Sequence, residues 1–191
     1  MGQNLGVKKQ SAAFHVKGID SYRFLNGMLT QDIQKTSEHL PSGARSFFLT
    51  NKGKIIAPLF FTSLNQEEVF LWTDADSAEA LYQGLERYLI ADKAEITAAG
   101  TFSSWSLIKS EFKSALIKTR HPQGLEKITT TSISDKLIAL PLGLLSTEHT
   151  ELICLKDEFQ ATEMSKEDYW QVCFNAGQPQ WGIDLFADDF F

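Results

Sequence analysis

The stretch that decides the fold is residues 18–33, which read Gly-Ile-Asp-Ser-Tyr-Arg-Phe-Leu-Asn-Gly-Met-Leu-Thr-Gln-Asp-Ile. Apolar side chains recur there every three or four residues, and this period predicts an amphipathic helix from about Ile19 to Ile33. Asp20 is suited to cap the helix, because a short carboxylate can accept from the free N–H groups of the first turn. The predicted apolar face consists of Tyr22, Leu25, Met28, Leu29 and Ile33.

Short strands are predicted on both sides of this helix. Phe14-His-Val16 predicts one that ends at Gly18, and three β-rich runs follow the helix. These runs are 46–50, 55–62 and 69–73, with hairpin-type links at 51–54 and 65–68. Pro58 lies in the middle run. Because proline cannot donate to a sheet ladder, this position predicts an edge strand or a bulge.

A second helix is predicted from Asp76 to Ile90. Asp76 and Glu79 have the spacing of a capping box, and an apolar stripe follows them. A strand at 94–97 then closes the unit. Ala98-Ala-Gly100 predicts the passage to a second lobe.

The second lobe is less regular. Strands are predicted at 104–109, 137–140 and 151–155, with a loop at 119–131 and a helix at 165–176. Ser165 and Asp168 form a second capping box, and Gly177 suits the position after the helix. The mixture lacks a regular βαβ alternation, so the sequence predicts an α+β fold of two mixed lobes with antiparallel sheets. The predicted lobes are 1–99 and 100–191.

Composition narrows the class of protein. The chain has 191 residues, a hydrophobic fraction of 43% and a formal net charge of −6, which is typical of a soluble globular protein and disfavours nucleic-acid binding. No apolar run is long enough to span a bilayer, so we expect no membrane association. The two cysteines, Cys154 and Cys173, are expected to be buried free thiols, which points to the cytoplasm.

Familiar catalytic signatures are missing. The sequence contains no nucleophile elbow, no phosphate-binding loop and no zinc-protease motif. The four histidines are far apart in the sequence and are expected to lie at surfaces or turns, so no metal site is predicted. Composition and motifs alone therefore indicate no enzyme.

Three patterns, in a fixed order, resemble one family. They are the stretch 18–33, Leu49-Thr-Asn-Lys-Gly-Lys-Ile55 and Ala176-Gly-Gln-Pro-Gln-Trp-Gly-Ile-Asp-Leu185. In this order they resemble the folate-binding family that joins the glycine-cleavage T-protein, an aminomethyltransferase, to the YgfZ proteins of iron–sulfur enzyme maintenance. Residues 86–96 also fit the layout of that family, so the resemblance covers nearly the whole chain.

The resemblance implies a tetrahydrofolate or related folate as ligand. A pterin is a flat polar ring that fits an apolar or aromatic slot with an amide or carboxylate beside it, and its glutamate tail favours lysine or arginine. Slot candidates are Met28, Leu29, Trp72, Tyr169 and Trp181. Candidates for polar pairing are Asn175 and Asp184, and for the tail Lys52 and Lys54. Only the resemblance puts these segments together in space.

Two departures favour the YgfZ side of the family. The aminomethyltransferases carry adjacent aspartates in a pattern like K-G-G-I-I-D-D, and the matching positions here are Ala57 and Pro58. Neither side chain can transfer a proton. The pterin-binding glutamate of a pattern like R-L-E-A-G is matched by Asn175, which can hydrogen-bond without charge. Glycine cleavage is therefore not expected, and the protein is predicted to be non-catalytic.

A third departure, in the C-terminal part, argues against the YgfZ side. The K-G-C-Y-x-G-Q-E motif of the YgfZ group and the further β domain of longer relatives have no counterpart before Phe191. The leading interpretation is a folate-binding YgfZ-like protein that assists iron–sulfur proteins, with such a protein or a separate C-terminal domain as partner. The alternatives are a scaffold domain that has lost folate binding and, third, a folate-dependent aminomethyltransferase.

Overall fold

The structure, a computed structural model, describes residues 4–36, 42–109, 116–119, 136–141, 150–154, 159 and 161–186. The chain divides into two compact units, which are treated in turn below. The first unit comprises Ser11–Thr101 and Leu185–Phe191, and the second comprises Met1–Gln10 and Phe102–Asp184. Two long strands, β1 (Leu5–Lys17) and β5 (Glu95–Lys109), contribute residues to both units.

The first unit is an antiparallel sheet with helices packed on one face. The strands β2, β3, β4 and β1 follow one another across the sheet. Helix α1 packs on β4 and helix α3 packs on β3. The bounds of these elements are α1 (Ser21–Met28), α2 (Ile33–Thr36), β2 (Ser42–Leu49), β3 (Ile55–Asn65), β4 (Glu68–Asp74) and α3 (Ala78–Tyr88).

The core of the first unit lies between these helices and the sheet. Leu25 of α1 and Leu85 of α3 are fully buried against alternate residues of the strands, among them Leu71 of β4. The neighbouring β4 residues Phe70 and Trp72, on the opposite face, are buried as well. Burial on both faces explains why β4 is an uninterrupted apolar run and not an alternating one.

The prediction of one helix over residues 19–33 is wrong. Helix α1 ends at Met28, and Leu29 is extended, with φ −106° and ψ 153°, and forms an isolated bridge to Phe48. The side-chain oxygen of Asn26 then accepts a hydrogen bond at 3.0 Å from the N–H of Ile33, where α2 begins. The apolar period continues through the break because Leu29 and Ile33 are buried in the same core.

The two predicted caps on the helices of the first unit differ in outcome. Asp20 is the N-cap residue of α1 as predicted, but its side chain makes no capping bond, and its carboxylate instead accepts from the backbone N–H of Lys93. Asp76 lies in a 3₁₀ turn, Ala75–Ser77, that precedes α3, so the residue before α3 is Ser77 and its side chain makes no capping bond. Spacing alone could not distinguish a cap from a long-range contact.

Strands β1 and β5 are longer than predicted. β1 begins at Leu5 and not at Phe14, and β5 runs unbroken through residues 98–100, which were expected to be a passage between lobes. Gly100 adopts a φ of +116° within β5. Polar and small side chains hid both extensions, because these strand segments carry few of the β-branched and aromatic residues that signal a strand.

Pro58 lies inside the sheet, on a strand with neighbours on both sides. On β2 its partner is Phe47, whereas the ladder between β3 and β4 begins two residues later, at Phe60 and Trp72. β3 has neighbours on both sides further along, but at Pro58 itself it pairs only with β2, so the expectation of an edge at this position is met. Pro58 precedes the pairing with β4, so its missing N–H leaves no gap in that ladder.

The second unit is a mixed sheet with one described helix. Strand β5 pairs with β8, β8 with β7 and β7 with β6, all antiparallel, and β9 pairs in parallel with the start of β1. The bounds are β6 (Leu116–Thr119), β7 (Lys136–Pro141), β8 (Thr150–Cys154), β9 (Thr162–Glu163) and α4 (Lys166–Asn175). The loop predicted over 119–131 lies almost wholly outside the described residues, as do Phe190 and Phe191.

Helix α4 confirms its predicted ends. The hydroxyl of Ser165 accepts from the N–H of Asp168 at 3.0 Å, as in a capping box. At the other end, Gly177 has a φ of +67°, and the N–H of Gln178 reaches back to the carbonyl of Cys173. This is the left-handed helix stop for which glycine is favoured. The predicted α+β class with antiparallel sheets is also confirmed.

Candidate functional site

The predicted lysines lie on the tight hairpin that joins β2 to β3. Gly53 has the predicted positive φ, +81°, and the hydroxyl of Thr50 accepts from the N–H groups of Lys52 and Lys54 at 3.3 and 3.1 Å. Lys52 is exposed and Lys54 is half-buried. The turn therefore fixes the backbone beneath two ammonium groups, an arrangement that suits an anionic tail.

The predicted slot residues of the first helix lie beside this hairpin. Leu29 bridges to Phe48, one residue before the end of β2, and is buried in the core. Met28 is only partly buried and packs on the edge of the same core. The structure thus brings Met28, Leu29 and the lysine hairpin together at one end of β2. Met28 offers the accessible apolar side chain.

Trp72 belongs to the packed interior of the first unit. Its side chain is 1% exposed, and its ring stacks on Phe60 with centroids 5.6 Å apart. Among the described residues, its indole Nε1 has no hydrogen-bond partner. An indole enclosed in this way can shape a neighbouring surface, but in this conformation it presents no face to solvent.

Ala57 and Pro58, which match the aspartate positions of the aminomethyltransferase pattern, lie on opposite faces of β3. Ala57 is fully buried in the core beneath the helices. Pro58 faces the other side, where its carbonyl accepts from the hydroxyl of Thr73 at 2.5 Å. Neither position supplies a carboxylate, so no group there can take or give a proton during a reaction.

In the second unit, the side chain of Tyr169 lies on the buried face of α4. Its side chain is 3% exposed and packs with Val7 and Cys173. Burial raises the pKa of Tyr169 well above its usual value, and the nearby Glu151 carboxylate acts in the same direction. The Lys9 ammonium lies 5.6 Å from the centre of the ring. Tyr169 is therefore a neutral, enclosed phenol.

The remaining predicted residues follow along the chain from the end of α4. Asn175 is exposed, and its side-chain oxygen accepts from Gln171 at 3.1 Å. Asp184 accepts from the N–H of Gln180 at 3.0 Å, while its own N–H donates back to the Gln180 carbonyl at 2.9 Å. Trp181 is half-buried inside this turn. The turn therefore closes on Asp184 and carries a partly accessible indole.

Five of the nine predicted residues belong to the first unit and four to the second. Those of the first unit are Met28, Leu29, Lys52, Lys54 and Trp72, and those of the second are Tyr169, Asn175, Trp181 and Asp184. In the first unit, Met28 and Leu29 lie beside the hairpin of Lys52 and Lys54, whereas Trp72 lies in the interior. In the second unit, Asn175 and Asp184 bond within neighbouring segments of the chain. The roles of the nine residues as ligand contacts stay predictions.

Sequence reasoning missed a buried carboxylate in each unit. Glu68 lies opposite Lys17 in the β1–β4 ladder, and its oxygens are 3.0 Å from the Lys17 ammonium, 3.4 Å from His15 and 3.2 Å from the amide of Asn65. Glu151 accepts from the hydroxyl of Ser106 at 2.9 Å. The available signal was an acidic residue at the start of an apolar strand run, as in Glu68-Val-Phe-Leu-Trp and Glu151-Leu-Ile-Cys.

No group of three or more histidines, cysteines, aspartates or glutamates among the described residues could hold a metal ion. No helix in the described part of the chain is long and apolar enough to cross a membrane.

His15, which was expected at a surface or turn, is instead largely enclosed beside Glu68, and Cys173 is a buried free thiol as expected. The other histidines and the side chain of Cys154 lie outside the described residues.

Comparison with known proteins places the fold in a class. No family model and no curated protein matches the sequence. Among solved structures, the chain is similar to the glycine cleavage system aminomethyltransferase T from Bartonella henselae, with a TM-score of 0.67 and 14% sequence identity. The match covers 97% of this chain and 55% of that chain, so this chain spans about half the length of that enzyme. The T-protein-like fold implied by the sequence motifs is therefore confirmed.

Proposed function

We propose that this protein binds a tetrahydrofolate-type ligand without catalysing aminomethyl transfer, as a member of the YgfZ side of the folate-binding family. One observation carries the proposal: the T-protein-like fold extends over 97% of the chain, while Ala57 and Pro58 stand where the enzymes' acids are expected. A similar fold without proton-transfer groups at these positions supports binding without turnover.

The proposed binding residues divide into contacts and supports. In the first unit, Met28 is accessible enough to touch a pterin ring, and Lys52 and Lys54 are proposed to hold the glutamate tail. In the second unit, Trp181 and Asn175 are accessible enough to touch such a ring. The enclosed residues Leu29 and Trp72 are proposed to support the first surface and Tyr169 the second, and Asp184 holds the turn that carries Trp181. Aromatic stacking plus two cations suits a flat ring with an anionic tail.

Calorimetric titration with tetrahydrofolate tests the proposal. We expect saturable binding that weakens in the variant with both Lys52→Gln and Lys54→Gln, because the tail loses two cations. Lys93→Gln removes a lysine far from the hairpin in sequence and is the matched control, with affinity unchanged. Absence of binding at millimolar ligand would overturn the proposal.

The proposal extends to partners and location. We propose assistance to iron–sulfur proteins, with contact to such a protein or to a separate C-terminal domain, on the family resemblance alone. We also propose a cytoplasmic location, from the low cysteine content. Loss of activity of iron–sulfur enzymes, but not of iron-free enzymes, in cells that lack this protein would support the first part; unchanged activity would contradict it.

A scaffold role without a ligand is the second candidate. It is favoured because several predicted ligand contacts are already occupied within the protein. Trp72 is enclosed, and the side chains of Asn175 and Asp184 form hydrogen bonds within their own segments. The two candidates separate on the titration above. A scaffold would bind a protein partner with equal affinity whether or not tetrahydrofolate is present.

A further inference from the structure

Residues 29–31, just after α1, lie along the edge of β2. Strand β2 stands at one end of the strand order, so among the described residues one side of its backbone has no neighbouring strand. On that side Leu29 forms a bridge to Phe48, and the N–H of Thr30 donates to the carbonyl of Phe47 at 3.1 Å. Over two residues, the chain after α1 therefore pairs with β2 as a further strand would.

Two hydroxyl groups complete this contact. The Thr30 Oγ1 accepts from the N–H of Phe47 at 3.0 Å, and the Ser46 Oγ accepts from the N–H of Gln31 at 3.1 Å. The two hydroxyl oxygens are 3.2 Å apart, so one can donate to the other. In a regular antiparallel pair, the N–H of Phe47 would donate to the backbone carbonyl of Thr30. Because a side chain takes that place here, the contact depends on the Thr30–Ser46 pair and not on the backbone alone.

The Thr30–Ser46 pair fixes the middle of a short segment between two helices. Helix α1 ends at Met28, and α2 begins at Ile33, whose N–H donates to the side-chain oxygen of Asn26 at 3.0 Å. The segment 29–32 is thus held to β2 in its middle and to α1 at its far end. Ser46 is 1% exposed, so its hydroxyl must keep these partners or lose free energy.

Met28 is the side chain that this arrangement positions. It lies two residues before Thr30, packs on the edge of the core and lies beside the lysine hairpin. If the segment 29–32 were released from β2, the end of α1 would lose the contacts that hold it there. Ligand binding would then include the free-energy cost of ordering Met28 again.

We propose that Thr30 and Ser46 are positioning residues for the ligand surface of the first unit. They hold Met28 beside the lysine hairpin, so that one ligand can contact both. This inference rests on the proposed function, because the two residues act on the ligand only through Met28. Loss of either hydroxyl should weaken the contact with the ring and leave the charge of the lysine hairpin unchanged.

The first measurement needs no ligand. Ser46→Ala removes one hydroxyl and leaves every backbone group in place. We expect the amide hydrogens of Thr30 and Phe47 to exchange with solvent about tenfold faster in this variant, relative to the amide of Leu71 in β4. Thr30→Ser keeps a hydroxyl, and Ser63→Ala removes a buried serine four residues along β3 from the partner of Ser46, so both should leave the ratio unchanged. An unchanged ratio in Ser46→Ala would overturn the proposal.

The second measurement is calorimetric titration with tetrahydrofolate. Ser46→Ala should weaken binding about fivefold, because the ligand must then order Met28. In the Met28→Ala background, Ser46→Ala should have no further effect, since two changes that act through one contact are not additive. In the variant with both Lys52→Gln and Lys54→Gln, the full effect of Ser46→Ala should persist. An undiminished effect in the Met28→Ala background would contradict the inference, because general loosening of the fold acts with or without Met28.

The two measurements separate this inference from the function on which it rests. No binding of tetrahydrofolate by the unchanged protein overturns the proposed function, while the exchange ratio still decides whether the Thr30–Ser46 pair holds the segment 29–32. Binding that Ser46→Ala leaves as tight as in the unchanged protein overturns this inference alone.

Discussion

The carboxylate of Asp20 accepts a hydrogen bond of 2.8 Å from the backbone N–H of Lys93, 73 residues further along the chain. The Arg23 guanidinium lies 3.4 Å from Asp20 and 2.7 Å from Asp92, so it bridges the same two segments. The start of α1 is thereby tied to the residues just before β5. This contact explains why Asp20 is placed at the start of α1 without capping it.

Removing the Asp20 charge should make the stability of the folded state less dependent on pH in the acidic range. The Lys93 N–H, helped by the Arg23 guanidinium, lowers the pKa of Asp20 below its ordinary 3.8. Because the folded pKa is the lower one, the contribution of Asp20 is present above pH 3.8 and is lost as the pH falls through the folded value. Asp20→Asn should therefore lower the urea midpoint by more at pH 6 than at pH 2.5. Glu95→Gln, at an exposed site, is the control, and an Asp20→Asn deficit of equal size at the two pH values would contradict the assignment.

Three glycines should respond to alanine in three different ways. A Cβ at Gly18, where φ is +133°, would lie 2.2 Å from the Lys93 carbonyl oxygen, so we expect a loss of about 3 kcal/mol or more. Gly53 has a φ of +81° but open space, so backbone strain alone should cost about 1–2 kcal/mol.

Gly27, in helix α1 with nothing near its Cβ position, should gain about 0.5–1 kcal/mol on substitution by alanine. Urea unfolding of the three variants checks the order of these effects. Equal losses of unfolding free energy for the glycine-to-alanine changes at positions 18 and 53 would show that the backbone at Lys93 moves to make room for the added Cβ.

Much of the fold could be predicted from local pattern, and the errors share a cause. The Gly53 turn and the ends of α4 were predictable because glycine conformation and capping are decided within a few residues. The roles of Asp20 and Leu29 were not, because partners distant in sequence decide them: Lys93 and Phe48.

The candidate site was less predictable than the fold. Periodicity and residue type marked Trp72 and Tyr169 as aromatic wall residues, but neither signal distinguishes an open wall from a packed interior, and the structure encloses both. Glu68 and Glu151 gave only a weak signal, because a single acidic residue at the start of a strand is normally solvated. Only the cross-strand register brings Lys17 and Ser106 beside them.

An aspartate at position 57 should destabilise the protein without creating an enzyme. Ala57 is fully buried among apolar side chains, so the charge of Ala57→Asp would have no partner, and we expect a loss of about 3–5 kcal/mol. Ala57→Asn has the same shape without the charge and should lose less. Urea unfolding gives both values, and an aminomethyl-transfer assay should show no turnover. Turnover in Ala57→Asp would contradict the non-catalytic assignment.

The ion pair of Glu68 with Lys17 should contribute less to the stability of the fold than its partial burial suggests. Glu68 is buried, but Lys17 is about half exposed, so we expect a coupling of about 1 kcal/mol in a double-mutant cycle. Glu68→Gln alone should cost about 1–3 kcal/mol, because His15 and Asn65 also face the carboxylate. Lys17→Met completes the cycle. A coupling near zero would assign the role of Glu68 to His15 and Asn65.

Trp181 should be the tryptophan that responds to a pterin. It is half-buried in the turn that Asp184 closes, so its indole can stack on a flat ring, whereas Trp72 is enclosed and Trp170 lies on the outer face of α4. Trp181→Ala should weaken tetrahydrofolate binding by about 1–3 kcal/mol, the range for base–aromatic stacking. Trp170→Ala, the matched control, should leave the affinity within twofold. Calorimetric titration of the three proteins measures both effects. Equal affinity for Trp181→Ala and the unchanged protein would remove Trp181 from the site while leaving the lysine hairpin to be tested by its own variants.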